Sequence, residues 1–240
     1  GIYTMGLLSI IRQFREEQKL SEEEKIDPIA TLYKHEYFSA WVRANIKNPK
    51  LFDAYSLIVI KVINLDMINS EIGPIKVNDV QEKIGKLIKG RLRWRQRGGY
   101  LWTNEFGIFL PGVSAKRAVN FAEKLRDDIV KIDFGIDKEY LKPVLAIGVS
   151  SIDRISIKIW GQLLDSSRAA MNRAMENGLN RVSLYDKKID GVIFPPFSMD
   201  PEIARQLCSK PEHKEIMDEE IGYYESMRIT MTLEKEKLDA

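Results

Sequence analysis

The groups able to do chemistry in this chain of 240 residues are few. Glu105 is the one carboxylate in the stretch Arg93–Gly112. It follows the polar pair Thr103-Asn104, and apolar arms flank it at Tyr100–Trp102 and Phe106–Leu110. Apolar arms around a tight polar centre read as a β-hairpin, and a solvated tip on rigid arms can aim a reactive group. Lys61 interrupts the apolar run Leu57–Ile63. An unpaired ammonium buried in such a run costs several kcal/mol, so Lys61 belongs at an open strand end or beside a carboxylate. Arg91, Arg93, Arg95 and Arg97 alternate around Trp94, a cationic and aromatic strip suited to a phosphate or nucleotide. His35 and His213 stand far apart, and Cys208 is the single cysteine. Internal disulfides and cysteine-type zinc sites are thereby excluded.

Positioning these groups needs a core, and a hydrophobic content of 44% supports one. The length suits one domain of about 150–180 residues with extensions. A net charge of +2 points to neither nucleic acid nor a membrane surface, and no nucleic-acid partner is expected. No apolar run reaches the roughly 18 residues of a membrane span, and the N-terminus lacks a signal-peptide layout. The expected setting is cytoplasmic, with an upstream sensor or anchor left open.

Residues 5–20 carry a helical apolar stripe through Leu7, Leu8, Ile10, Ile11 and Phe14, and Ser21–Glu24 gives a capping signal. Asp27–Leu32 is turn-like. Residues 34–47 predict a helix that Pro49 stops, and Leu57–Ile63 a buried central strand. Residues 64–74 are a loop or short helix, and Val77–Leu92 an amphipathic helix. After the hairpin, helices are expected over 114–132 and 157–177, with strands at 144–150 and 181–185. Gly178 is a natural helix stop. The order suits an α+β fold, a ferredoxin-like mixed sheet flanked by helices. Beyond it, Phe194-Pro195-Pro196-Phe197 reads as a linker, and helices are expected at 200–208 and 211–238. The expected division is residues 1–26 as an N-terminal helix or stalk, 27–186 as the domain, and 187–240 as linker and helical extension.

Residues 27–186 resemble the GGDEF domain of the diguanylate cyclase family, which condenses two GTP into cyclic di-GMP. Asp27–Leu32 is similar to the family's entry motif, and Leu57–Asn69 to its first strand and following loop. Trp102-Thr103-Asn104-Glu105-Phe106 falls on the signature hairpin, Ala146–Val149 on the S-I-G-V strand, and Ala169–Tyr185 on the closing helix and strand. The resemblance implies a nucleotidyl cyclase-like fold. It also implies which catalytic groups are replaced. Lys61 stands where the family has its first metal-binding Asp. Trp102 and Thr103 stand at the two glycines that admit nucleotide, and Asn104 at the third acidic position. Met175 and Leu179 replace the Lys and Arg that grip phosphate. Of the guanine-reading pair Asn69 remains, whereas Asn78 replaces an Asp. Of the inhibitory R-x-x-D motif, Arg93 remains.

Magnesium-type cations need oxygen ligands such as carboxylates. With that set reduced to Glu105, no catalytic residue, metal or cofactor is expected. The family fold also brings Lys61 towards Glu105, so an ion pair in place of the metal is expected, with Trp102 filling vacated nucleotide space. The function expected is a non-catalytic signalling module for a protein partner or self-association. Two other readings stay open: a sensor of GTP or cyclic di-GMP using Asn69, Asn78, Glu105 or Arg93, and a nucleotidyl transferase of altered chemistry.

Overall fold

The computed structural model describes residues 23–46, 54–101, 104–155 and 160–190. The helices expected over 5–20, 200–208 and 211–238, the linker at 194–197, and Trp102 and Thr103 lie outside the described residues. The elements, in chain order, are β1 (Tyr33–Lys34), α1 (His35–Ile46), β2 (Tyr55–Val62), α2 (Leu65–Glu71), α3 (Pro74–Arg91), β3 (Arg97–Tyr100) and β4 (Glu105–Pro111). They continue with α4 (Ala115–Val130), β5 (Leu145–Ser151), α5 (Trp160–Glu176), β6 (Arg181–Leu184) and α6 (Lys187–Asp190). The six strands form one mixed sheet in the order β1-β3-β4-β2-β5-β6. Its outermost pairs are parallel and its three inner pairs antiparallel. This is the mixed α/β sheet flanked by helices that the residue patterns predict.

Strand β2 runs through the middle and explains its own composition. Successive side chains of a strand point to opposite faces. Ile58, Ile60 and Val62 join a core with Val80, Ile84 and Ile88 of α3 and Ala118, Ala122 and Leu125 of α4. Leu57 and Val59 point the other way, to Phe38 and Val42 of α1 and to Leu163, Met171 and Ala174 of α5. Both faces are covered, so the strand reads as a continuous apolar run rather than an alternating one. Each large apolar side chain buried here contributes about 1.5–3 kcal/mol.

Two glycines set how close the helices come. A Cβ on Gly148 of β5 would overlap the Ser167 carbonyl oxygen and the Met171 nitrogen of α5. A Cβ on Gly99 of β3 would overlap the Phe38 ring of α1. The first arm of the hairpin, expected at Tyr100–Trp102, begins at Arg97 and includes Gly98-Gly99. Residues 64–74 resolve as helix α2 and the turn after it. No helix among the described residues is long and apolar enough to cross a membrane.

Candidate functional site

The hairpin tip is closed by the Leu101 N–H donating to the Glu105 carbonyl at 2.7 Å. Asn104 takes the left-handed conformation, φ 67°. Asparagine tolerates that region better than most residues with a Cβ. Its Oδ1 accepts from Gln81 Nε2 at 3.2 Å, and the same amide donates to the Tyr100 hydroxyl at 2.6 Å. Asn104 is thereby tied to α3. Glu105, the next residue, opens β4.

In the ladder Glu105 stands opposite Lys61, Lys61 opposite Ala146, and Ala146 opposite Arg181. Directly paired residues share a face of the sheet. Ala146 packs into the core beneath α1 and α5, so the whole row faces that side. From α5, Arg168 reaches down to the carboxylate. Its Nε and Nη2 each lie 2.8 Å from Glu105 Oε2. The Glu105 side chain is 7% exposed and that of Arg168 22%. Register therefore brings Lys61 and Glu105 opposite each other, but the ion pair that holds the carboxylate comes from Arg168. Among the described residues Lys61 makes no ion pair. The His35 ring of α1 lies 6.3 Å from that of Trp160. Burial pushes its imidazole down to about 4, and the Arg43 and Arg168 guanidiniums push the same way. His35 is thus neutral at pH 7.

The other predicted residues sit apart from this pair. Asn69 on α2 and Asn78 on α3 are both exposed, on the helices that follow the Lys61 end of β2. Phe106 is fully buried and packs edge-on against Tyr100, ring centroids 5.4 Å apart. Met175 and Leu179 are exposed near the end of α5.

The arginine strip divides into three. Arg91 ends α3 in an ion pair with Asp128 at 2.7 Å, and Arg97 lies 5.1 Å over the Trp41 ring. Between them is a tight turn. The Arg93 N–H donates to Gln96 Oε1 at 2.8 Å, the Gln96 N–H donates to the Arg93 carbonyl at 2.9 Å, and Arg95 has φ 67°. Trp94 is 82% exposed at the apex, with the Arg95 guanidinium 4.1 Å over its ring.

A divalent cation does not fit the tip. Such ions take several oxygen ligands. The tip offers one carboxylate, already charge-matched by Arg168, with a lysine across the ladder. Among the described residues no three His, Cys, Asp or Glu side chains group to hold a metal. Sequence reasoning missed Arg168. It lies on a helix 63 residues from Glu105, and no local pattern marks it.

The GGDEF domain family, the diguanylate cyclase GGDEF domain, matches residues 24–181. Diguanylate cyclase A of Treponema denticola is 25% identical over 132 residues, which is 55% of this chain and 35% of that protein. The chain thus matches about a third of that relative's length. Among solved structures, the active GGEEF domain of a diguanylate cyclase from Vibrio cholerae is 26% identical with a TM-score of 0.58, covering 64% of this chain and 97% of that one. Diguanylate cyclase SiaD of Pseudomonas aeruginosa, in complex with its activator SiaC, has a TM-score of 0.63 at 20% identity over 74% of this chain and 69% of SiaD. The coiled coil and GGDEF domain of DgcB from Caulobacter crescentus, in complex with c-di-GMP, has a TM-score of 0.64 at 12% identity over 75% of this chain and 95% of that one. The last two likenesses are of fold alone.

Proposed function

This chain belongs to the GGDEF domain family of diguanylate cyclases, and from that premise we propose that it is a non-catalytic member acting as a signalling module. It works by binding a protein partner or a second copy of itself. Residues 27–186 relay a state between the N-terminal segment, 1–26, and the C-terminal segment, 187–240. One observation carries this reading. The tip carboxylate is buried and held by Arg168, with Lys61 as its cross-strand neighbour. Two-nucleotide condensation needs cations to offset triphosphate charge and carboxylates to hold those cations. The tip supplies an internal cation in their place. Incubation of the chain with GTP and magnesium or manganese, read by chromatography, should yield no cyclic di-GMP. Detection of that product above a protein-free control would overturn the reading.

A second reading, a sensor of GTP or cyclic di-GMP without turnover, is favoured by the turn at Arg93–Gln96. Its apex pairs an 82% exposed indole with a guanidinium, a surface suited to stack on a base and hold a phosphate. Calorimetry separates the readings. Heat of binding that Trp94→Ala abolishes supports the sensor, and no heat at millimolar nucleotide removes it.

A further inference from the structure

Strand β6 is one of the two outer strands of the sheet, and along it runs a groove of about 470 Å³. Arg181 marks one end, at the start of the strand, and Arg154 the other, after the neighbouring strand β5. Val182, Ser183 and Leu184 form the floor. Arg154 and Arg181 are exposed, and among the described residues neither has an ion pair. Arg173 also lines the groove but is already matched. Its Nε donates to Asp190 Oδ1 at 2.7 Å and its Nη2 to Oδ2 at 3.1 Å. That clamp ties α6 to the rim, where Lys187 and Lys188 are exposed and Ile189 is 64% exposed. Asp186 is the one acidic lining residue. The groove is therefore basic at both ends with an apolar edge.

The chain leaves the described residues at Asp190, on this rim. Residues 191–240 hold 11 of the chain's 35 acidic residues but only 6 of its 37 Lys and Arg, so the tail is acidic and the remainder basic. The acid is concentrated. Glu212, Glu215, Asp218, Glu219, Glu220 and Glu225 lie within 14 residues, with Ile216, Met217 and Ile221 among them. That mixture of carboxylate and aliphatic groups complements a groove with arginine ends and an exposed isoleucine. The 21 residues from 191 to 211 can span up to about 70 Å when extended, ample for a return to the rim. A tether of that length also gives the segment an effective concentration that a free partner lacks.

We propose that the groove along β6 is the docking site of this chain's own acidic segment, residues 212–225. The contact is electrostatic at its ends and apolar at its rim. It gives residues 191–240 two states, docked on the domain or released to another partner. This inference stands apart from the question of turnover at the hairpin tip.

The test uses the full chain with spin labels on Cys208 and on Leu179→Cys, an exposed neutral position beside Arg181. Pulsed electron resonance then reads the distance distribution. A narrow short-distance population is expected at low salt. It should fall at least twofold in Arg154→Glu/Arg181→Glu, and equally in Asp218→Lys/Glu219→Lys/Glu220→Lys, which leaves the domain untouched. Combining both sets should restore it. An unchanged distribution in both variants would overturn the proposal. So would a short population that vanishes on dilution with unlabelled chain, because the groove would then hold a second copy.

Discussion

Replacing Arg168 by methionine keeps the aliphatic stem over the sheet and removes the guanidinium. The Glu105 carboxylate, on a side chain 7% exposed, then loses the donor that compensates it. Breaking one side of a buried pair costs about 3–5 kcal/mol. Arg168 is 22% exposed, so water can enter behind it and the lower end applies, about 3 kcal/mol. Glu105→Gln does the reverse and leaves a guanidinium that reaches solvent, costing about 1–2 kcal/mol. A double-mutant cycle should therefore return a coupling of about 2 kcal/mol between Arg168 and Glu105. The same cycle with Lys61→Met should return less than about 0.5 kcal/mol, since Lys61 shares the register but not the ion pair. Urea unfolding at pH 7, followed by tryptophan fluorescence, measures both. With a slope of about 2 kcal/mol per molar, Arg168→Met should lower the midpoint by about 1.5 M. A Lys61–Glu105 coupling as large as that of Arg168 would overturn Arg168 as the partner of the carboxylate. It would mean that the lysine, standing where the resembled family has a metal ligand, holds the carboxylate.

Gly148→Ala places a methyl against the backbone of α5, which cannot rotate aside, so a loss of about 3 kcal/mol is expected. That should appear as a Tm lower by about 6–12 °C. Gly90→Ala, inside α3 with nothing within 4 Å of its new Cβ, should instead gain about 0.5–1 kcal/mol and raise Tm slightly. A pH series tests His35. Its folded value, about 4, lies below the usual 6.5, so folding favours the neutral ring. Its contribution is complete above pH 6.5 and is lost as pH falls towards 4, by at most about 3 kcal/mol. His35→Gln should flatten that part of the urea midpoint against pH, and a slope identical to the parent would show that His35 does not drive it.

The central strands were legible because both faces of β2 and β5 are buried, which forces the apolar runs Leu57–Ile60 and Leu145–Val149. The helices were legible from their stripes. β1 was not. Two residues carry no period, and Tyr33 and Lys34 become a strand only by pairing with Gly99 and Tyr100, far along the chain. The first hairpin arm, expected at Tyr100–Trp102, begins earlier, at Arg97, because Gly98 and Gly99 are strand residues, and the Phe38 ring leaves no room for a side chain at Gly99. At the tip, the type and place of Glu105 could be read directly. Its partner could not, since Arg168 looks like any polar residue on a helix until α5 is laid across the sheet. The four arginines formed one strip in the sequence. Packing against Asp128 and Trp41 withdraws two and leaves the turn around Trp94.

The two outer strands are short, two residues in β1 and four in β6. On β6 the Leu184 carbonyl is already taken by Arg173 at 2.6 Å. An unpaired strand edge is a template on which another chain can add. Here neither border offers a run long enough to nucleate lateral growth, and a side chain blocks part of one. Copies of this domain brought together at high local concentration should therefore not fuse into a continuous sheet or seed fibrils. Assembly through the described sheet must therefore use side-chain surfaces, which salt or single substitutions can weaken.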